Sequence, residues 1–176
     1  MIGCSWSHAL VYEDVIKNNF SKVLIMEDDM VIDVEAAKTF PAVINELPKN
    51  WELLYFGFAL NEDSPANASL KKAFYHLVRT FGGIKFSHNT INHLYPKKIT
   101  EHIYAAGYHD CTHAYGLTAS GAKKLLALQT PISFLPDNLL AHAATNKIVN
   151  AFITHPKIIN QQSQVENGPT HSYINE

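Results

Sequence analysis

Two cysteines in 176 residues, Cys4 and Cys111, are too few and too far apart for a CxxC metal or redox motif or for a dense disulfide framework. Both read as free thiols in a reducing compartment. No run of 18 or more apolar residues is present, so a membrane-spanning helix is not expected. The opening Met1-Ile2-Gly3-Cys4-Ser5-Trp6 lacks the basic segment and apolar run of a secretory signal, which makes cytoplasmic residence the expectation. There is no internal repeat and no low-complexity tract. Positive charge is not in excess either: the formal net charge is −2 with the ten His counted neutral, which argues against broad nucleic-acid binding through phosphate contacts. What is present, 47% hydrophobic and 17% charged residues, is ordinary for a globular protein. A chain of this length supports one core and not two, so residues 1–176 are read as a single domain.

Helical and strand periods alternate along the chain. Ser7 suits the cap of a helix over His8 to Asn18. The apolar run Lys22 to Met26 reads as a strand buried on both faces and discharges into Glu27-Asp28-Asp29. Asp33 suits the cap of a helix over Val34 to Leu47, with Pro41 forcing a break or restart near Phe40. Trp51 to Phe58 is rich in aromatic and β-preferring residues and reads as a second central strand, giving a parallel strand, helix, strand layout. Leu70, Phe74, Leu77, Val78 and Phe81 recur at helical spacing ahead of the stop Gly82-Gly83. Between Ile84 and Tyr108 only an extended stretch near Ile99 to Tyr104 can be placed. A strand His113 to Leu117, a cap at Thr118 or Ser120 with a helix Gly121 to Leu128, a helix Asn138 to Ala144 capped by Asp137, and a last strand Ile148 to Thr154 complete the series. From Gln161 the tail is polar and expected to be irregular.

The acidic turn is the strongest chemical signal, because ligands of open α/β sheets collect beyond the carboxyl ends of the strands. Carboxylates on one tight turn repel each other, and a shared hard cation with oxygen ligands, Mn²⁺ or Mg²⁺, relieves the repulsion. Such an ion could bridge a nucleotide diphosphate. Simple capping of the next helix explains the triplet about as well. His109, Asp110, Cys111 and His113 suggest a zinc site by proximity, but alternation along a strand sends neighbours to opposite faces and disfavours it. The helix Leu70 to Phe81 carries Lys71, Lys72 and Arg79 beside its apolar residues. It either covers the core, the favoured reading, or lies on an anionic membrane surface.

Taken as an ordered set, Gly3-Cys4 with Ser7-His8, Val23 to Asp29, and Trp51 to Gly57 resemble the G-C-x-x-S-H, L-I-x-E-D-D and D-x-x-Y-L-G blocks of glycosyltransferase family 25. Thr112 to Leu117 with Gly121 to Leu126 is similar to that family's T-x-A-Y block, and Pro131-Ile132 with Asp137, then Pro156 with Gln161 or Gln162 and Ser163, to its closing blocks. The resemblance implies an α/β, GT-A-like (nucleotide-diphospho-sugar transferase), Rossmann-like sheet with flanking helices. The family's usual leading strand, helix and strand are not matched, so the fold is expected to be N-terminally truncated. It also implies Asp29 as principal metal ligand with Asp28 in support, Glu27 on sugar or ribose hydroxyls, and Ser7, His8 and Tyr115 on the donor side. Asp137 would be the base that activates the acceptor.

Two function classes stay open. One is a metal-dependent hexosyltransferase taking galactose or glucose from a UDP-sugar to a saccharide or lipid-linked oligosaccharide, cytoplasmic and at the inner face of the membrane. The other is a non-catalytic glycosyltransferase-like module that binds a sugar or a protein. A phosphodiesterase built on the same carboxylates is a distant third, since no His-rich two-metal motif accompanies them.

Overall fold

The computed structural model describes residues 2–165, without the side chains of Ile2, Cys111, Thr112 and Gln164. The part of the tail from 166 onward lies outside those residues. A six-stranded mixed sheet organises the chain, made of β1 (Lys22–Met26), β3 (Leu53–Ala59), β4 (Lys97–Lys98), β5 (Ile103–Ala105), β6 (Asp110–Thr118) and β7 (Ala151–Thr154) in the order β1-β6-β3-β7-β5-β4. Among the described residues β3 and β7 are the one pair of neighbours joined in parallel, while β6 lies antiparallel between β1 and β3, which therefore point the same way. The parallel layout expected of β1 and β3 holds for their direction, but the antiparallel β6 between them makes the α/β sheet mixed. Two crossovers converge on the one long strand, β6, whose direction no local pattern specifies.

β3 is the centre. Its run Leu53-Leu54-Tyr55-Phe56 feeds two cores, with Leu53 and Tyr55 packing on one face and Leu54 and Phe56 on the other. The first face is covered by α1 (Ile2–Lys17), α6 (Ala119–Gln129) and α7 (Pro136–Thr145), and the second by α2 (Val34–Ala37) and α3 (Phe40–Glu46). Each fully buried Leu, Phe or Tyr there contributes about 1.5–3 kcal/mol. β1 is not the doubly buried strand its sequence suggests. Among the described residues it pairs only with β6, and Leu24 and Met26 are 51% and 47% exposed at that edge. An apolar groove of about 600 Å³ lies between that edge and α1.

Several boundaries moved for local reasons. α1 begins at Ile2, so Ser7 sits inside it and donates its hydroxyl to Gly3 O (3.0 Å) instead of capping. The helix expected over Val34 to Leu47 is split into α2 and α3 as Pro41 demands, and Asp33 caps α2 by accepting from Glu35 N and Ala36 N. Thr118 caps α6 by accepting from Gly121 N. The N-cap of α7 is Leu135, which leaves Asp137 in the first turn and not at the cap.

A small antiparallel ribbon, β2 (Met30–Ile32) with β8 (Ile159–Gln161), lies across the sheet at the carboxyl end of β1. It is possible because Gly57 has no side chain: a Cβ there would lie 2.8 Å from Ile159 O. α8 (Gln162–Val165) follows β8. On the far side, α4 (Ala68–Thr80) rests on α5 (His88–Asn92) and buries none of its residues, so it does not cover the core as favoured from sequence.

Candidate active site

β1 ends at Met26, and Glu27 N–H still donates to His113 O (2.9 Å), which ties the start of the acidic turn to β6. The turn then bends away into β2. Its last residue, Asp29, is gripped by β8 and α8: Gln161 Nε2 donates to Oδ2 (2.6 Å) and Gln162 N–H donates to the Asp29 carbonyl (2.8 Å). Asp29 Oδ1 is buried and has no hydrogen-bond partner among the described residues. An orphaned carboxylate oxygen in such a place is costly unless something positive meets it.

Negative charge gathers here. Burial first, then the charges of Asp29, Asp137 and Asp28, push the Glu27 carboxyl up to about 7. Asp137 reaches this region from the first turn of α7, close enough for its field to act on Cys4, His8, Glu27 and His113. No Lys, Arg or His forms an ion pair with Glu27, Asp28 or Asp29 among the described residues. The four carboxylates therefore share one region, and the three on the turn form no salt bridge among the described residues.

α1 contributes the other wall. His8 Nδ1 lies 2.7 Å from the Tyr115 hydroxyl, their rings are stacked at 6.0 Å, and the Tyr12 hydroxyl is 3.0 Å from the same Tyr115 oxygen. Burial lowers the His8 pKa, with Asp137 opposing. Tyr115 is fully buried, and its phenol oxygen sits between His8 and Tyr12. Ser7 is exposed but spends its hydroxyl within the helix. The structure thus brings together Glu27, Asp28, Asp29, Asp137 and His8, with Tyr115 behind them, and leaves the Ser7 hydroxyl out.

Lys157 joins them, with His113 and Gln161, which the sequence singled out only for a disfavoured zinc site and for the family's closing block. His113 is buried with neither ring nitrogen partnered among the described residues. Its pKa is lowered by burial and by Lys157, against Asp29 and Asp137. Its signal was available: His113 and Tyr115 lie two apart on β6 and so share a face. Lys157, whose Nζ donates to Phe58 O, and Gln161 come from the segment after β7, where Lys157 left no local trace and Gln161 showed only in the closing block. Cys4 is exposed at the start of α1, and burial followed by Glu27 and Asp137 raises its thiol pKa.

The zinc idea gains nothing. His109 is buried with both nitrogens occupied, Nδ1–H donating to Leu60 O (3.1 Å) and Nε2 accepting from Gly107 N–H (2.9 Å). The side chain of Cys111 lies outside the described ones. Glu52, in the third sequence block, proves to be a brace at the opposite end of β3: it accepts from Ser120 Oγ (2.6 Å), Lys124 Nζ (2.7 Å) and Asn150 N (3.0 Å).

Residues 1–140 match the family described as glycosyltransferase family 25 (LPS biosynthesis protein). The chain belongs to glycosyltransferase family 25. Among curated proteins, it is 26% identical over 138 residues to the "Probable inactive glycosyltransferase 25 family member 3" of Bos taurus. It is 25% identical over 138 residues to the "Inactive glycosyltransferase 25 family member 3" of Homo sapiens. Each alignment covers 77% of this chain and 18% of the relative, so the chain spans less than a fifth of the length of these proteins. The family 25 match contains Cys4, His8, Glu27, Asp28, Asp29, His113, Tyr115 and Asp137, while Lys157, Gln161 and Gln162 lie beyond it.

Proposed function

We propose that this family 25 domain is a hexosyltransferase that moves galactose or glucose from a UDP-sugar to a saccharide or lipooligosaccharide acceptor, on a GT-A-like sheet and with a divalent cation. The observation that carries the reading is the meeting of Glu27, Asp28, Asp29 and Asp137 beyond the end of β1, with no basic side chain paired to the turn among the described residues.

Among the described residues, no three His, Cys, Asp or Glu side chains are gathered to hold an ion unaided. Mg²⁺ or Mn²⁺ held by one or two carboxylates, with substrate phosphates completing the shell, is compatible with that donor set. Asp29 would hold the ion through its unpartnered Oδ1, supported by Asp28. When bound, the ion would offset the charge that grows on the departing diphosphate.

The remaining chemistry falls to the chain. Glu27, at the start of the same turn, would hydrogen-bond hydroxyls of the ribose or donor sugar. His8, held by Tyr115, would line the donor pocket, with Ser7 shaping α1 behind it. An acceptor hydroxyl would attack the anomeric carbon, forming the new C–O bond as the bond to the diphosphate oxygen breaks. Asp137 would take the hydroxyl proton.

Both relatives are named as inactive, which favours a second reading, a sugar- or protein-binding module without turnover. Titration calorimetry with UDP and Mn²⁺, followed by UDP release from UDP-galactose and UDP-glucose, separates the two. A Mn²⁺-dependent heat that Asp29→Ala abolishes, with turnover lost in Asp137→Asn, is the outcome expected of the transferase. Binding without turnover would assign the module, and no metal-dependent UDP binding would overturn the transferase reading.

A further inference from the structure

α4 is amphipathic in the reverse of the usual sense. Its polar side faces the protein: Lys72 Nζ donates to Asn92 O (2.7 Å), and Arg79 Nε donates to Phe86 O (2.7 Å). Arg79 also donates to His88 Nε2 (2.8 Å), so His88 carries its proton on Nδ1 and gives it toward His76 Nδ1 (3.0 Å). His76 in turn donates from Nε2 to Asn92 Oδ1 (3.0 Å). This chain of bonds fixes the rotation of α4 on α5. The opposite side carries Leu70, Phe74, Leu77 and Phe81 at 72%, 58%, 57% and 81% exposure, spaced four, three and four residues apart. They form one straight stripe about 16 Å long. Nothing in the hydrogen-bonding pattern allows the helix to roll that stripe inward.

Charge singles out the same segment. Ser64 to Thr100 holds none of the chain's 16 acidic residues and six of its 14 basic ones, Lys71, Lys72, Arg79, Lys85, Lys97 and Lys98. That segment is therefore +6 while the rest of the chain is −8. A self-association interface or an average protein partner does not require such a split. An anionic bilayer does: apolar side chains enter the acyl boundary while flanking lysines meet lipid phosphates.

We propose that α4 with the loop to Lys85 is a peripheral docking surface for an anionic lipid membrane. Phe74, Leu77 and Phe81 insert, and Lys71 and Lys85 pair with headgroup phosphates. The inference stands on α4 alone and does not need the transferase reading. If both hold, the domain works beside a lipid-linked acceptor.

The test is co-sedimentation of the whole chain with sucrose-loaded vesicles of phosphatidylcholine, with and without 30 mol% phosphatidylglycerol. Binding is expected only with phosphatidylglycerol, falling as salt is raised from ~50 to ~500 mM. Lys71→Gln with Lys85→Gln should weaken it about 25-fold, at roughly fivefold per lysine. Phe74→Ser with Phe81→Ser should abolish it, while circular dichroism and the melting temperature stay unchanged because both rings are exposed. Failure to bind phosphatidylglycerol vesicles, or equal binding by the Phe74→Ser/Phe81→Ser variant, would overturn the proposal. So would a dimer seen by light scattering that the same double variant dissolves, since the stripe would then be covered by a second copy.

Discussion

Mild acid should destabilise this domain through one buried side chain, His109. Its ring is fully buried between Phe58 (4.6 Å) and Tyr55 (5.5 Å), and its two nitrogens have opposite duties. Nδ1–H gives its proton to Leu60 O, and Nε2 accepts from Gly107 N–H. A second proton would have to sit on Nε2, pointing at another donor inside the core. Burial accordingly drives the pKa down to about 4 from an ordinary value of 6.5. The unfolded chain then binds a proton that the folded chain refuses, so stability is intact above about 6.5 and falls as pH drops toward 4. Over that whole window the loss is about 3 kcal/mol, and at pH 5.5 it is already roughly 1.4 kcal/mol. With a urea slope of about 2 kcal/mol/M, the unfolding midpoint at pH 5.5 should lie about 0.7 M below that at pH 7.5 on this account alone. Other groups titrate too, so the comparison is with His109→Gln, which cannot take up a proton. The variant should be weaker at pH 7.5 but lose about 1.4 kcal/mol less on going to pH 5.5. Parallel pH profiles for the two proteins would show that His109 is not the acid-sensitive group.

Three further outcomes follow from other buried contacts. Glu52→Ala should cost about 3 kcal/mol in chemical denaturation, because Lys124, Ser120 and Asn150 N–H lose their common acceptor; Glu52→Gln should cost less. Burial opposes ionisation of Glu52, yet those bonds outweigh it and hold its pKa below the usual carboxylate range, so Glu52→Ala should also flatten the acid limb below about pH 4.5. Gly57→Ala forces Ile159 O away from β3 and should cost about 1–3 kcal/mol. Since Ile159 precedes Gln161 on β8, it should also weaken Mn²⁺-dependent UDP binding by calorimetry, while an unchanged affinity would mean β8 does not position Asp29. Tyr115→Phe removes the hydroxyl shared by His8 and Tyr12 and should cost about 1–2 kcal/mol, with a new, more mobile His8 imidazole signal by NMR.

The reading of the acidic turn and the place it occupies rested on short-range rules that hold regardless of partners. An apolar run of five followed by three carboxylates is a strand opening onto a turn, and the structure bears that out at Lys22 to Asp29. Asp33, Pro41 and Thr118 acted through the first turn of a helix and were equally legible. Errors arose where the answer depended on a distant segment. β1 has the composition of an inner strand, but which strands flank it is decided by how β6 pairs, and that left it at an edge. The apolar period of α4 says that one side of the helix is apolar and not which way that side points. Lys72, Arg79 and His76 bonding to α5 turned it outward.

The site shows the same division. Glu27, Asp28 and Asp29 were nameable because a strand end marks itself, whereas His8 and Asp137 were named through the resemblance to family 25. Their meeting, and the roles of His113, Lys157 and Gln161 beside them, came from contacts across as many as 132 residues between Asp29 and Gln161. Local order along a chain dictates periods, caps and turns because these depend on neighbours within a few bonds. Burial, protonation and the direction a side chain faces depend on what lies across space, and only the folded arrangement of β6, β8 and α7 around β1 decides that.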